Sequence, residues 1–185
     1  MFILYAIVIG LVVGFIAGGR LSAIGEIRFR WAPLVFVGFL LQVLLFSDAV
    51  AERVGDLGPI LYVASTLMVV IAVVRNLSIP GLPLVALGAA SNLVAIVANG
   101  GFMPASPSAM AALGKAAPTI YSNSAVVAQP ALAPLTDIFA MPVWLPFHNI
   151  FSIGDAILAV GVVVVVAIAM RTRPRAGTGN LPDGA

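Results

Sequence analysis

The sequence predicts an all-α membrane protein with five transmembrane helices, and three observations carry that expectation. Hydrophobic residues make up 62% of the 185-residue chain and charged residues only 9%, a balance foreign to a water-facing domain of this size. Several apolar stretches approach the length of about 20 residues that a helix needs to cross a hydrocarbon core. The arginines cluster in alternate loops, as the positive-inside rule requires of a polytopic protein.

The first span is expected at residues 2–19. It has no basic segment ahead of it and meets Arg20 at once, so it reads as a retained helix rather than a cleaved signal. Gly10, Gly14 and Gly18 recur every four residues and predict a face that another helix can approach closely. A loop with Arg20, Glu26, Arg28 and Arg30 leads to the second span, residues 32–47, whose Trp31 start suits the membrane interface. A net acidic loop with Asp48, Glu52, Arg53 and Asp56 precedes the third span, residues 59–74. Arg75 and Asn76 close it. The fourth span, residues 79–98, carries Pro80 and Pro83 in its first turns, where the missing amide hydrogens would have no helical partner anyway. The fifth, residues 151–170, ends at Arg171, Arg173 and Arg175.

Five spans put the termini on opposite sides, and Arg20, Arg28, Arg30, Arg75 and the C-terminal arginines then share one side. The expected topology has the N-terminus outside and the C-terminus in the cytoplasm, with residues 172–185 a disordered cytoplasmic tail. Residues 99–150 between the fourth and fifth spans form the expected external cap. Lys115, Asp137 and His148 are the chargeable residues of this stretch, and seven prolines interrupt it. Ser106 and Pro107 predict a short helix reaching Gly114, with serine as cap and proline at the first position. The run 120–127 reads as extended, and 132–147 as an interfacial or re-entrant loop.

Function is sought first in the acids. Asp155 heads the final apolar run, and Asp137 lies eighteen positions upstream. A charged side chain at a bilayer centre costs at least roughly 2.5 kcal/mol, so acids beside such runs pair, take up a proton or serve a site. Two carboxylates sharing one place do not both ionise easily, and such a pair can activate a water while polarising a carbonyl. Asp155, near Ser152 and Gly154, has an equally open structural role at the exposed amides of a helix start. His148, beside Asn149, could relay protons between the acids. Gln42 and Asn92, polar inside apolar spans, read as interhelical hydrogen-bonding residues.

The chain has no cysteine, one histidine and no phosphate loop or serine triad, so no cofactor and no metal site are expected. No basic cluster interleaves with aromatics, which argues against nucleic acid as a partner.

Leu135-Thr136-Asp137-Ile138-Phe139, then Pro146, then Phe151-Ser152-Ile153-Gly154-Asp155-Ala156-Ile157 resembles the C-terminal catalytic region of signal peptidase II, the lipoprotein signal peptidase. The resemblance implies a catalytic dyad of Asp137 and Asp155 just outside the last helix. It is local: Ser152 stands where that family has Asn, Gly154 where it has Ala, and the upstream Asn-x-x-Asp-Arg block has no counterpart. Asn99-Gly100-Gly101-Phe102 is similar to that family's Asn-x-Gly-x-Ala-Phe motif and makes Asn99 a supporting candidate. A broader resemblance, carried by Asn99-Gly100-Gly101-Phe102-Met103-Pro104 and both aspartate blocks, is to a family of small bacterial integral membrane proteins of unknown function.

The candidate site is therefore Asp137 and Asp155, supported by Asn99, His148, Asn149 and Ser152. The favoured function is that of an accessory or lipid- or partner-binding membrane component, with membrane lipid and a membrane-anchored peptide or protein as partners. The alternative is an aspartyl-dyad membrane peptidase at the external face.

Overall fold

The computed structural model describes residues 2–114, 124–127 and 129–171. The chain is mostly helical. Its long helices are α1 (Phe2–Ile16), α2 (Ala32–Leu45), α4 (Leu57–Val74), α5 (Leu82–Ala98) and α7 (Ile153–Ala169), with short α3 (Asp48–Ala51) and α6 (Pro107–Ala112) between them. Only α4, with 18 residues, is long and apolar enough to meet the criterion for a membrane span among the described residues. The other four are equally apolar but run 14 to 17 residues.

Several ends fall inside the expected bounds for local reasons. Helix α1 stops at Ile16 because Gly18 turns left-handed with φ 75°, a conformation that ends helices readily. Residues 21–26 form a 3-10 turn instead of open loop. Left-handed Trp31 and Gly81 precede α2 and α5, each with a proline in the first two helical positions.

The long helices pack in the order α1, α7, α5, α4, α2, so the last helix in the chain sits between the first and the fourth long one. Glycine makes that possible. A Cβ on Gly88 of α5 would overlap the Gly154 carbonyl of α7, and one on Gly161 would lie 2.6 Å from the Val85 amide. On the opposite side of α7, Gly10 and Gly14 face Val166 and Met170, as the four-residue spacing predicts. Gly18 does not join them, having nothing within 4 Å of its Cβ position, and Gly19 takes its place against Met170.

The two ends of the bundle differ. At one, the Arg20 amide donates to the Met170 carbonyl at 2.8 Å. There too Asn76 holds the Arg30 backbone through both its amide and its carbonyl, each at 2.7 Å. The Arg75 guanidinium lies 6.0 Å from the Trp31 ring centre. Arginines thus gather at this end. The other end carries the cap. The cap adds short strands to the all-α expectation: β1 (Met103–Pro104) parallel to β2 (Ser124–Ala125), which falls in the run read as extended, and β3 (Phe139–Ala140) antiparallel to β4 (Ile150–Phe151). Prolines deny the segment a helix, and two-residue pairings satisfy its backbone instead. Ala105, Ala109, Met110 and Ile150 form its small core. The predicted tail and Lys115 lie outside the described residues.

Candidate functional site

Asp155 is fixed by local sequence. Ser152 is the N-cap of α7: its hydroxyl accepts from the Asp155 amide at 3.0 Å, and Asp155 Oδ2 accepts from the Ser152 amide at 3.1 Å, a reciprocal capping box. Such a box satisfies two helix-start donors and places the acid where the helix dipole favours it.

A third residue closes the arrangement. Asn92, from α5, donates through Nδ2 to Asp155 Oδ1 at 2.7 Å and accepts from the Ser152 hydroxyl at 2.9 Å. Its place depends on Gly154, since any Cβ there would overlap Asn92 Oδ1. Asn92 thus fulfils the interhelical role expected of it, but its partner is the candidate acid itself. Gln42, likewise, donates to Thr66 between α2 and α4 at 3.2 Å.

Asp137 is fixed by the cap. Its amide donates to the Pro104 carbonyl and its carbonyl accepts from the Ser106 amide, both at 2.9 Å. These bonds lay it parallel to Ala105. The side chain is 7% exposed, and Oδ1 is buried without a hydrogen-bond partner. Burial, and next the charge of Asp155, push the Asp137 carboxyl up to about 7 from an ordinary 3.8. Desolvation penalises the charged form, and a neighbouring negative charge adds to it. Near neutral pH Asp137 can therefore hold a proton. A neutral acid of this kind can donate to a carbonyl.

The supporting candidates divide. Ser152 belongs to the site through the capping box. Asn99 serves elsewhere: its side chain clamps Ala131, accepting from that amide and donating to that carbonyl, both at 2.9 Å, and so ties the cap to the end of α5. His148 Nδ1 lies 3.1 Å from the Leu145 carbonyl within its own turn, and none of its described hydrogen bonds reaches either acid. The Asn149 carbonyl accepts from the Met141 amide beside the β3–β4 pair at 2.9 Å. The proton relay expected through His148 thus has no described link. Asn92 is the residue that sequence reasoning did not assign to the site; sixty-three positions separate it from Asp155. Its signal was a polar residue four positions after Gly88, on the same face of one helix. Among the described residues no group of three or more His, Cys, Asp or Glu side chains is placed to hold a metal.

The model of a family of unknown function, DUF5317, matches residues 26–167, and the chain belongs to that family. Both aspartates and Asn92 lie within the matched stretch. No curated protein and no solved structure matches the chain. The family carries no reaction with it, and its description is silent on signal peptidase II.

Proposed function

We propose that the chain is an integral membrane protein in which all five long helices cross the bilayer, with Asp137 and Asp155 as its working site at the external rim. The membrane part is supported by what the helices turn outward. Ile16, Phe36, Val43 and Ile60 are each more than 60% exposed, and broad outward apolar faces mark contact with lipid or partners. With the arginine-bearing end in the cytoplasm, the cap and both acids lie outside.

The observation that carries the site is the unpartnered Oδ1 of a buried Asp137, whose carboxyl also feels the charge of Asp155. Buried polar atoms are nearly always satisfied, and an exception points to a function or a missing partner. A water or a substrate donor supplies that partner. The chemistry that follows is acid–base: Asp155 draws a proton from a water as it attacks a carbonyl, and protonated Asp137 donates to the carbonyl oxygen. The substrate class is a peptide or related bond in a membrane-anchored molecule, since the site stands at the bilayer surface.

A second reading has its own observation. Both oxygens of Asp155 already accept hydrogen bonds, from Asn92 and from the Ser152 amide, as suits a structural acid. On that reading the protein is a non-enzymatic accessory or lipid- or partner-binding component, and the acids hold the cap on the helices.

Asp137→Asn and Asp155→Asn separate the two. The enzyme reading expects each variant to insert normally and to lose processing of membrane-anchored lipoproteins by at least about a hundredfold, the scale of a lost acid or base. Unchanged processing in both variants would sink it and leave the accessory reading.

A further inference from the structure

Residues 138–147 run Ile-Phe-Ala-Met-Pro-Val-Trp-Leu-Pro-Phe without one charged group, immediately after Asp137. Met141 is buried, but most of the large side chains around it turn outward. Trp144 is 78% exposed, Phe147 68% and Val143 61%, although the cap core of Ala105, Ala109, Met110 and Ile150 lies close by. Water alone does not favour that arrangement, because collapse onto the core would remove the same area from solvent. The backbone also holds the apolar side chains out: Phe147 has φ 55°, a left-handed conformation unusual for a bulky residue.

The segment is pinned beside α1. The Tyr5 hydroxyl donates to the Pro146 carbonyl. The Phe151 ring stacks on Phe2 and on Phe139, with centres 4.4 Å and 5.4 Å apart. Loop and α1 are thus joined at Tyr5 and Phe2, and Leu4 and Val8 of the same helix are exposed as well.

We infer that residues 138–147 form a non-helical wedge that dips its Trp144 and Phe147 rings into the lipid headgroup–acyl boundary of the leaflet bordering the cap. The inference rests on the membrane reading above and adds a second kind of lipid contact to the helices. The chemistry fits: an uncharged segment, a tryptophan whose amphipathic ring prefers that boundary, and a tyrosine at the same level. Amphipathic elements at this boundary lie roughly 5–10 Å deep. The wedge would anchor the strand that carries Asp137 at the height where the head of a lipid-anchored substrate arrives.

The chain has two tryptophans, Trp31 and Trp144, which makes the test direct. Full-length protein is reconstituted in phosphatidylcholine–phosphatidylglycerol vesicles whose lipids carry a spin label near the headgroup or near the chain end. Trp144 is read alone in Trp31→Phe, and independently as the difference between wild type and Trp144→Phe, so failure of one variant to fold does not remove the answer. The expected result is quenching by the shallow label about twofold or more above that by the deep label, with protection from aqueous acrylamide. Free access to acrylamide without lipid quenching would overturn the wedge, as would protection from both, which would mean a protein cover. Carbonate extraction of the same vesicles keeps the two ideas apart. Retained protein with unquenched Trp144 defeats the wedge alone, whereas released protein defeats the membrane reading with it.

Discussion

The α5–α7 seam and the cap treat their carboxylates in opposite ways. In the seam, Asp155 has a donor on each oxygen, and the surrounding glycines leave just enough room for Asn92 to reach across. In the cap, the Asp137 backbone is fully engaged while its side chain keeps one buried oxygen without a partner. The difference shows where each region spends its polar groups: the seam uses them to hold two helices in one register, whereas the cap fixes a strand and leaves the acid on it uncommitted. A satisfied acid is stable; an unsatisfied one can bind.

The comparison breaks most severely at Gly154. Gly154→Ala forces a methyl group onto Asn92 Oδ1 and the Gly88 carbonyl, so helix separation and loss of the network combine. We expect about 3 kcal/mol or more of destabilisation, seen as loss of the folded, detergent-stable protein in thermal unfolding. Asn92→Leu keeps the bulk but leaves the Ser152 hydroxyl and Asp155 Oδ1 without their partner. The expected cost is about 1–3 kcal/mol, the scale of leaving a buried polar group such as the Ser152 hydroxyl without a partner, and the same unfolding assay checks it. If Asn92→Leu proves neutral, the seam does not depend on this network.

Asp137→Asn sharpens the other side. Folded Asp137 keeps its proton up to about 7, while the unfolded chain releases it near 3.8. Between those values the folded state holds more protons. The contribution is fully present below about pH 3.8 and is lost as pH rises through about 7, with a slope of up to about 1.4 kcal/mol per pH unit. Asparagine cannot titrate, so the variant should lack this slope and gain relative stability at pH 8. Equal pH profiles for the two proteins would show that Asp137 titrates normally. The smallest effect belongs to Trp144→Ser. This exposed residue should shift unfolding in detergent by less than about 0.5 kcal/mol, while weakening shallow-label quenching in vesicles.

Much of the bundle was legible because it is written in local patterns. Pro83 at the start of α5, Asp155 in the first turn of α7, the Ser106–Pro107 start of α6 and the Gly10–Gly14 spacing found their predicted places. Helix ends were less legible: left-handed Gly18 and Trp31 shorten or re-aim the chain where apolar composition continues unbroken. In the cap, prolines marked helix failure but not which short segments would pair.

The site was half legible. An acid beside an apolar run is conspicuous in any one sequence, so Asp137 and Asp155 stood out, whereas the N-cap role of Ser152 appeared only in the structure. His148 and Asn99 were drawn in by chemistry and sequence nearness, yet one turns to its own loop and the other clamps Ala131. Asn92 stood out as an interhelical residue but not as part of the site, because nothing within its own helix marks Asp155 as its partner.

The sequence by itself determined the apolar helices, the arginine-rich loops and the two acids, since composition, spacing and capping act over one or two turns. The tertiary structure alone decided that α7 lies between α1 and α5, that Asn92 meets Asp155, and that Asp137 rather than Asp155 keeps an unmatched oxygen. Those outcomes depend on close approach between segments far apart in the chain, where the absence of a few Cβ atoms and the burial of a single carboxyl set which groups can touch.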